Sequence, residues 1–203
     1  MEVSKPYNIT YEGAHEFTEE EGLAKCCRND VIVTIGEKKC YLYVTDMERL
    51  KVDFYGEYNS SSYYATDPNT IIVKEVSYAE IEKTVKNLFE KKYFDLIGYT
   101  IKKEVSEPYN IIYENDQEIS EYDALNNGFR NDVIVAIGNK NYKLYITDIE
   151  RLEQDYYAEI ENNGIYSSKP NMIVVKKVTK AEIENTIKHM INEGFFNDFG
   201  YMN

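Results

Sequence analysis

Tryptophan is absent from this 203-residue chain, and histidine, cysteine and proline number only two, three and four. No apolar run approaches the ~20 residues that a transmembrane helix needs, and Met1–Pro6 lacks the apolar stretch of a secretory signal, so residence in the cytoplasm is expected. The cysteines, Cys26, Cys27 and Cys40, are odd in number and confined to the start of the chain, which excludes a disulfide framework and fits reduced thiols. His15 and His189 share no constellation from which a catalytic triad could be assembled. Glycine-rich phosphate loops and the H-E-x-x-H and C-x-x-C spacings are missing, so no catalytic residue, metal or cofactor is expected.

What the chain does contain is itself, twice. Pro6-Tyr7-Asn8-Ile9 recurs as Pro108-Tyr109-Asn110-Ile111, and Arg28-Asn29-Asp30-Val31-Ile32-Val33 as Arg130-Asn131-Asp132-Val133-Ile134-Val135, always at an offset of 102. Thr45-Asp46 and Glu48-Arg49-Leu50 return as Thr147-Asp148 and Glu150-Arg151-Leu152, and Gly98-Tyr99 as Gly200-Tyr201. Solenoid units are about 20–50 residues long, so a period of 102 implies two tandem homologous domains, 1–101 and 102–203, each with its own core. The connecting Thr100–Lys103 is short, which predicts domains packed together, by a pseudo-two-fold axis or by simple translation.

The formal charge of −13 is shared evenly: residues 1–101 carry 12 Lys and Arg against 18 Asp and Glu, and residues 102–203 carry 11 against 18. Nucleic acid and anionic membrane need a basic patch that stands clear of acids, and none does, so neither is expected as a direct partner. Such acidity favours a basic protein partner, or it serves solubility alone.

Each copy reads as α+β, a small, mainly antiparallel sheet with packed helices in the order β-α-β-β-α-β-α. In the first copy the pattern predicts a strand at Tyr7–Tyr11, a helix over 16–27 with Thr18 near its start, and strands at Asp30–Ile35 and Lys39–Val44 about a turn at Gly36-Glu37-Lys38. A helix capped by Asp46 or Thr45 follows, burying Met47, Leu50 and Phe54. The polar stretches 59–62 and 161–164 read as surface loops, followed by a turn at Pro68-Asn69 and a strand at Thr70–Val76. Ser77-Tyr78-Ala79-Glu80 opens the last helix, whose core face is Ile81, Val85, Leu88, Phe89 and Tyr93.

Two features could carry function. Asp30, Glu37 and Lys39 have the D…E-x-K spacing of metal-dependent nucleases, but the second copy has Asp132, Asn139 and Asn141 there, and a charged hairpin turn explains the first. The stronger feature is an acidic stripe: at about 100° per residue, Asp46, Asp53 and Glu57 fall within about 40° of one another, and Asp148, Asp155 and Glu159 repeat them. Arg49 is placed to pair with them along the helix. Tyrosines gather around these helices, at Tyr55, Tyr58, Tyr63 and Tyr64, and at Tyr156, Tyr157 and Tyr166. Tyrosine supplies stiff contact area with a hydrogen-bonding tip.

Asp46, Asp53, Tyr55, Glu57 and Tyr64, with Asp148, Asp155, Tyr157, Glu159 and Tyr166, are therefore the candidate partner-binding residues. In general character the chain resembles small acidic α+β proteins that act as bacterial toxin-immunity proteins or phage-encoded inhibitors, a resemblance that transfers no residues. The expected function is a non-enzymatic protein-binding module that blocks a basic toxin or nuclease. The alternatives are a small-molecule-binding protein or enzyme with its site in the inter-domain cleft, and a scaffold that uses both domains bivalently.

Overall fold

The computed structural model describes residues 6–13, 17–61, 64, 69–95, 108–116 and 118–197. The domain boundary at 101/102 lies outside the described residues, as do Thr100–Lys103, Gly98-Tyr99, His15, Tyr63 and Pro68. Among the described residues no helix is long and apolar enough to cross a membrane.

The first half runs β1 (Asn8–Tyr11), α1 (Glu19–Lys25), β2 (Cys27–Ile35), β3 (Lys38–Asp46), α2 (Met47–Ser61), β4 (Thr70–Val73) and α3 (Tyr78–Glu90), then a 3₁₀ turn at Tyr93–Asp95. The second runs β5 (Tyr109–Tyr113), α4 (Glu121–Asn127), β6 (Phe129–Ile137), β7 (Lys140–Asp148), α5 (Ile149–Asn163), β8 (Met172–Val175) and α6 (Lys180–Asn192), then a turn at Phe195–Asn197. The protein is thus α+β, with two four-stranded, mainly antiparallel sheets ordered β1-β2-β3-β4 and β5-β6-β7-β8. The last strand of each runs parallel to its neighbour because α2 or α5 makes the crossover.

Local chemistry explains these elements. The hairpins close through two residues, with positive φ at Gly36 and Gly138 and not at the following Glu37 and Asn139, the pattern of a type II′ turn. Thr18 caps α1 in a reciprocal box with Glu21, so the helix starts at Glu19 rather than near residue 16. It ends where Cys26 turns left-handed, which releases Cys27 into a longer β2 than the sequence suggested. Strand β4 stops at Val73 instead of Val76, because 74–76 bend towards the cap that Ser77 provides for α3.

The polar stretches expected to be loops are corrected most: α2 continues to Ser61 and α5 to Asn163. Tyr58 and Ile160 still pack against the core there, so polarity marks an exposed helical end, which Gly164 terminates at φ 68°.

Each sheet has its own core on one face. Ile81, Val85 and Leu88 of α3 pack on Val31, Val33, Leu42, Val44, Ile71 and Val73; Phe89 is half-buried beside them, and Tyr93 is buried in the 3₁₀ turn. Helix α6 repeats this with Ile183, Ile187 and Met190.

A one-residue bulge between Arg28 and Val31, and between Arg130 and Val133, brings a buried ion pair to one end of each sheet. Arg28 donates from Nε and Nη2 to both carboxylate oxygens of Asp30 at 2.8 Å, and its guanidinium lies 4.7 to 4.9 Å from the rings of Tyr11, Phe17 and Tyr78. Arg130 holds Asp132 at 2.9 Å and covers Tyr113 at 4.7 Å. Asp30 is therefore committed to Arg28, while Glu37 occupies the hairpin turn.

Candidate partner-binding surface

A third core joins the halves. Met47, Leu50, Phe54, Tyr64 and Ile72 pack with Ile149, Leu152, Tyr156, Tyr166 and Val174, which are the same five positions displaced by 102. Like therefore meets like, as at an isologous dimer interface. Lys51 pairs at 2.7 Å with Glu153, its own counterpart, and Tyr157 donates at 3.2 Å to Glu48, so α2 and α5 cross antiparallel about positions 51 and 153.

These contacts favour the pseudo-two-fold arrangement over a translation. The Tyr156 hydroxyl donates to the Val73 carbonyl at 3.2 Å, and the Ile72 amide to Ser168 Oγ at 3.1 Å. Among the described residues, the matched positions at the junction pack on one another as an apolar cluster.

This packing decides where the candidate tyrosines lie. Tyr64 and Tyr166, 7% and 2% exposed, belong to the joint core, edge-on to Phe54 at 5.4 Å and tilted against Tyr156 at 5.6 Å. Burial raises the Tyr166 phenol far above its ordinary range and pushes Tyr156 up to about 12. Tyr55 and Tyr157 point the other way, 44% and 49% exposed. Partial burial, then the hydrogen bond to Glu48, raises the Tyr157 phenol. Val52, 67% exposed, lies on the same helix as Tyr55.

The stripe carboxylates are brought together along each helix, largely in contact with their own half. Asp46 and Asp148 accept hydrogen bonds from the Arg49 and Arg151 amides at 2.8 and 2.7 Å and so cap α2 and α5. Burial raises the Asp148 carboxyl above its ordinary value. Asp53 and Asp155 pair with Arg49 and Arg151 at 2.9 Å, and Tyr43 donates to Asp53 at 3.4 Å. Glu159 accepts from the Ser167 amide at 2.9 Å and faces Lys169 at 3.7 Å, and Glu57 lies at the matching position of α2, on its exposed side.

In the second half a concavity of about 350 Å³ opens along this row, lined by Tyr145, Arg151, Asp155, Glu159, Asn162 and Lys169. Its charges are balanced. The outward face of the helix pair carries Tyr55 and Tyr157 together with the exposed Glu48 and Glu150, which lie two turns away along the same helix faces.

Sequence reasoning passed over the Arg28–Asp30 and Arg130–Asp132 pairs, although an Arg-x-Asp leading a β-rich run in both copies was a visible signal. No protein-family model matches the chain, and neither does any curated protein or solved structure.

Proposed function

We propose that this chain is a protein-binding module of the inhibitor or immunity type, which blocks a basic toxin or nuclease with the outward face of α2 and α5. One observation carries the reading: two large, stiff tyrosines, Tyr55 and Tyr157, stand exposed among glutamates on helices whose other side is locked in the joint core. Exposed aromatic anchors on a rigid platform lose little conformational entropy on binding, and surrounding acids steer a basic partner and set its salt sensitivity. The two halves are read as duplicated homologous domains divided near residue 101, acting in the cytoplasm. A small-molecule site at the junction draws less support, because the matched residues there are packed as an apolar core.

The test is capture of a partner on the immobilised full chain at low salt, released with a salt gradient, by wild type and by the double variant Tyr55→Ala, Tyr157→Ala. A basic protein that elutes sharply and is lost by the variant supports the reading. Capture that ignores the substitutions, or the absence of any basic partner, overturns it.

A further inference from the structure

Beside β1 lies a second concavity, of about 210 Å³, walled by Tyr7, Asn8, Ile9 and Tyr11 of the edge-strand region and by Tyr78 and Glu82 of α3. The rings of Tyr11 and Tyr78 sit 4.3 Å apart at 34°, with the Arg28 guanidinium against both. The exposed carboxylate of Glu82 completes the wall. Aromatic faces carry negative electrostatic potential, and several of them around a carboxylate make a favourable environment for an organic cation.

The second half supplies an independent observation, because it holds such a cation at the matching place. The residues there are Tyr109, Asn110, Ile111, Tyr113, Lys180 and Glu184, with lysine at the position of Tyr78. The Lys180 ammonium lies 5.0 Å over the Tyr113 ring and 2.6 Å from Asp116. Tyr113 thus has a guanidinium and an ammonium against it, both from its own chain, whereas the cleft at Tyr11 has a third tyrosine in place of the lysine.

We infer that the Tyr7–Tyr11–Tyr78–Glu82 cleft binds an organic cation, the lysine or arginine side chain of an extended segment laid along β1. Among the described residues β1 has a strand on one side only, so its other backbone edge can receive an extended chain. A side chain from that segment that turns towards α3 enters the cleft beside the Tyr11–Tyr78 pair, within reach of Glu82. The inference rests on the reading of the chain as a binder of basic protein, but it uses a surface separate from Tyr55 and Tyr157.

The test uses the full chain and two short blocked peptides of β-branched residues, one with a central lysine and one with norleucine there, followed through the ring signals of Tyr11 and Tyr78 by NMR. The lysine peptide is expected to give saturable shifts, and the norleucine peptide to bind roughly ten-fold more weakly, within the range that cation–π contacts provide. Tyr78→Lys should abolish binding by supplying the ammonium internally, and the same fold already carries lysine at position 180. Glu82→Gln should weaken it about three-fold, as expected of an exposed charge. Equal binding of the two peptides, no binding of either, or wild-type affinity in Tyr78→Lys overturns the inference. Peptide binding retained by Tyr55→Ala, Tyr157→Ala keeps this site separate from the α2–α5 face, so either proposal can fail alone.

Discussion

The two halves share a fold and a charge but distribute their strain and their cations differently. Where α4 meets β6, Gly128 takes φ 70°, and a Cβ there would lie 2.7 Å from Arg151 Cβ and 2.8 Å from Asp148 Oδ2. At the matching place Cys26 accepts φ 57° with a side chain, and its thiol is raised by a hydrogen bond to Asp46 and then by burial. The second half in turn sends Ser167 and Ser168 into the first, where Ser167 donates to Asn87 at 3.0 Å. A symmetric joint core can therefore hold two lobes whose other surfaces have separated, which is why the two candidate binding surfaces need not be present twice.

The largest effects should come from that joint core. Phe54→Ala and Tyr156→Ala each remove a buried ring at matched positions, and each should cost about 3–5 kcal/mol. The tyrosine change also removes the hydrogen bond to Val73. Chemical denaturation should show one transition whose midpoint falls similarly for both variants. Two transitions, with only one displaced by each substitution, would mean that the halves unfold independently despite the shared core.

The buried ion pairs should separate the halves next. Replacing one partner strands the other, at a cost of about 3–5 kcal/mol where the site is fully enclosed. The Asp132 side chain is 0% exposed and that of Asp30 10%, so Arg130→Met should destabilise more than Arg28→Met in paired denaturation curves. Burial pushes the Asp132 carboxyl up, but the hydrogen bonds and charge of Arg130 outweigh it and hold the group below the usual carboxylate range. A depressed folded value means that this stability is complete above the unfolded pKa of about 4 and is lost as pH falls through the folded one. Asp132→Asn should remove that acid-side slope from a pH series of midpoints, and an unchanged slope would show that other carboxylates cause it.

Sequence alone made much of this legible. Alternation and the hairpin glycines placed the sheets, the cap of α2 was narrowed to Asp46 or Thr45, of which Asp46 accepts the Arg49 amide, and the 102-residue offset matches nearly every element. Periodicity also marked Met47, Leu50 and Phe54 as buried, but it reports that a face is covered and not what covers it. Here the cover is the other half. The expectation that Tyr64 and Tyr166 bind a partner has the same origin: a tyrosine beside a helix suits an interface or a core equally well, and both are buried in the joint core. The Arg-x-Asp repeat marked the pair of Arg28 and its carboxylate, but the bulge that turns both into one buried cluster shows only in the strand register.

Smaller shifts should come from the left-handed cap. Gly128→Ala adds a Cβ at positive φ against Asp148 and Arg151 and should cost about 1–3 kcal/mol. The first half tolerates a side chain at that place, which keeps the cost from growing larger. Cys26→Gly should instead stabilise by roughly 0.5–1 kcal/mol. Thermal midpoints moving in opposite directions would confirm that the cap favours glycine in both halves, while a loss in Cys26→Gly would assign net value to the thiol's contact with Asp46.

The smallest effect tests the symmetry itself. Lys51 and Glu153 occupy one position twice and meet each other, each about 30% exposed, so their pairing should stabilise by only about 0.2–1 kcal/mol and weaken with salt. A two-fold axis through a single position makes identical residues face each other, and identical charges repel. Lys51→Glu restores that identity and should destabilise by a few tenths of a kcal/mol beyond the lost pair, whereas Lys51→Glu with Glu153→Lys should recover wild-type stability, as a double-mutant cycle measures. Recovery in the exchanged pair would show that the axis imposes complementarity at this position without preferring which half carries the cation. Failure to recover would show that the surroundings, including the Tyr157–Glu48 contact on one side, have already broken the equivalence.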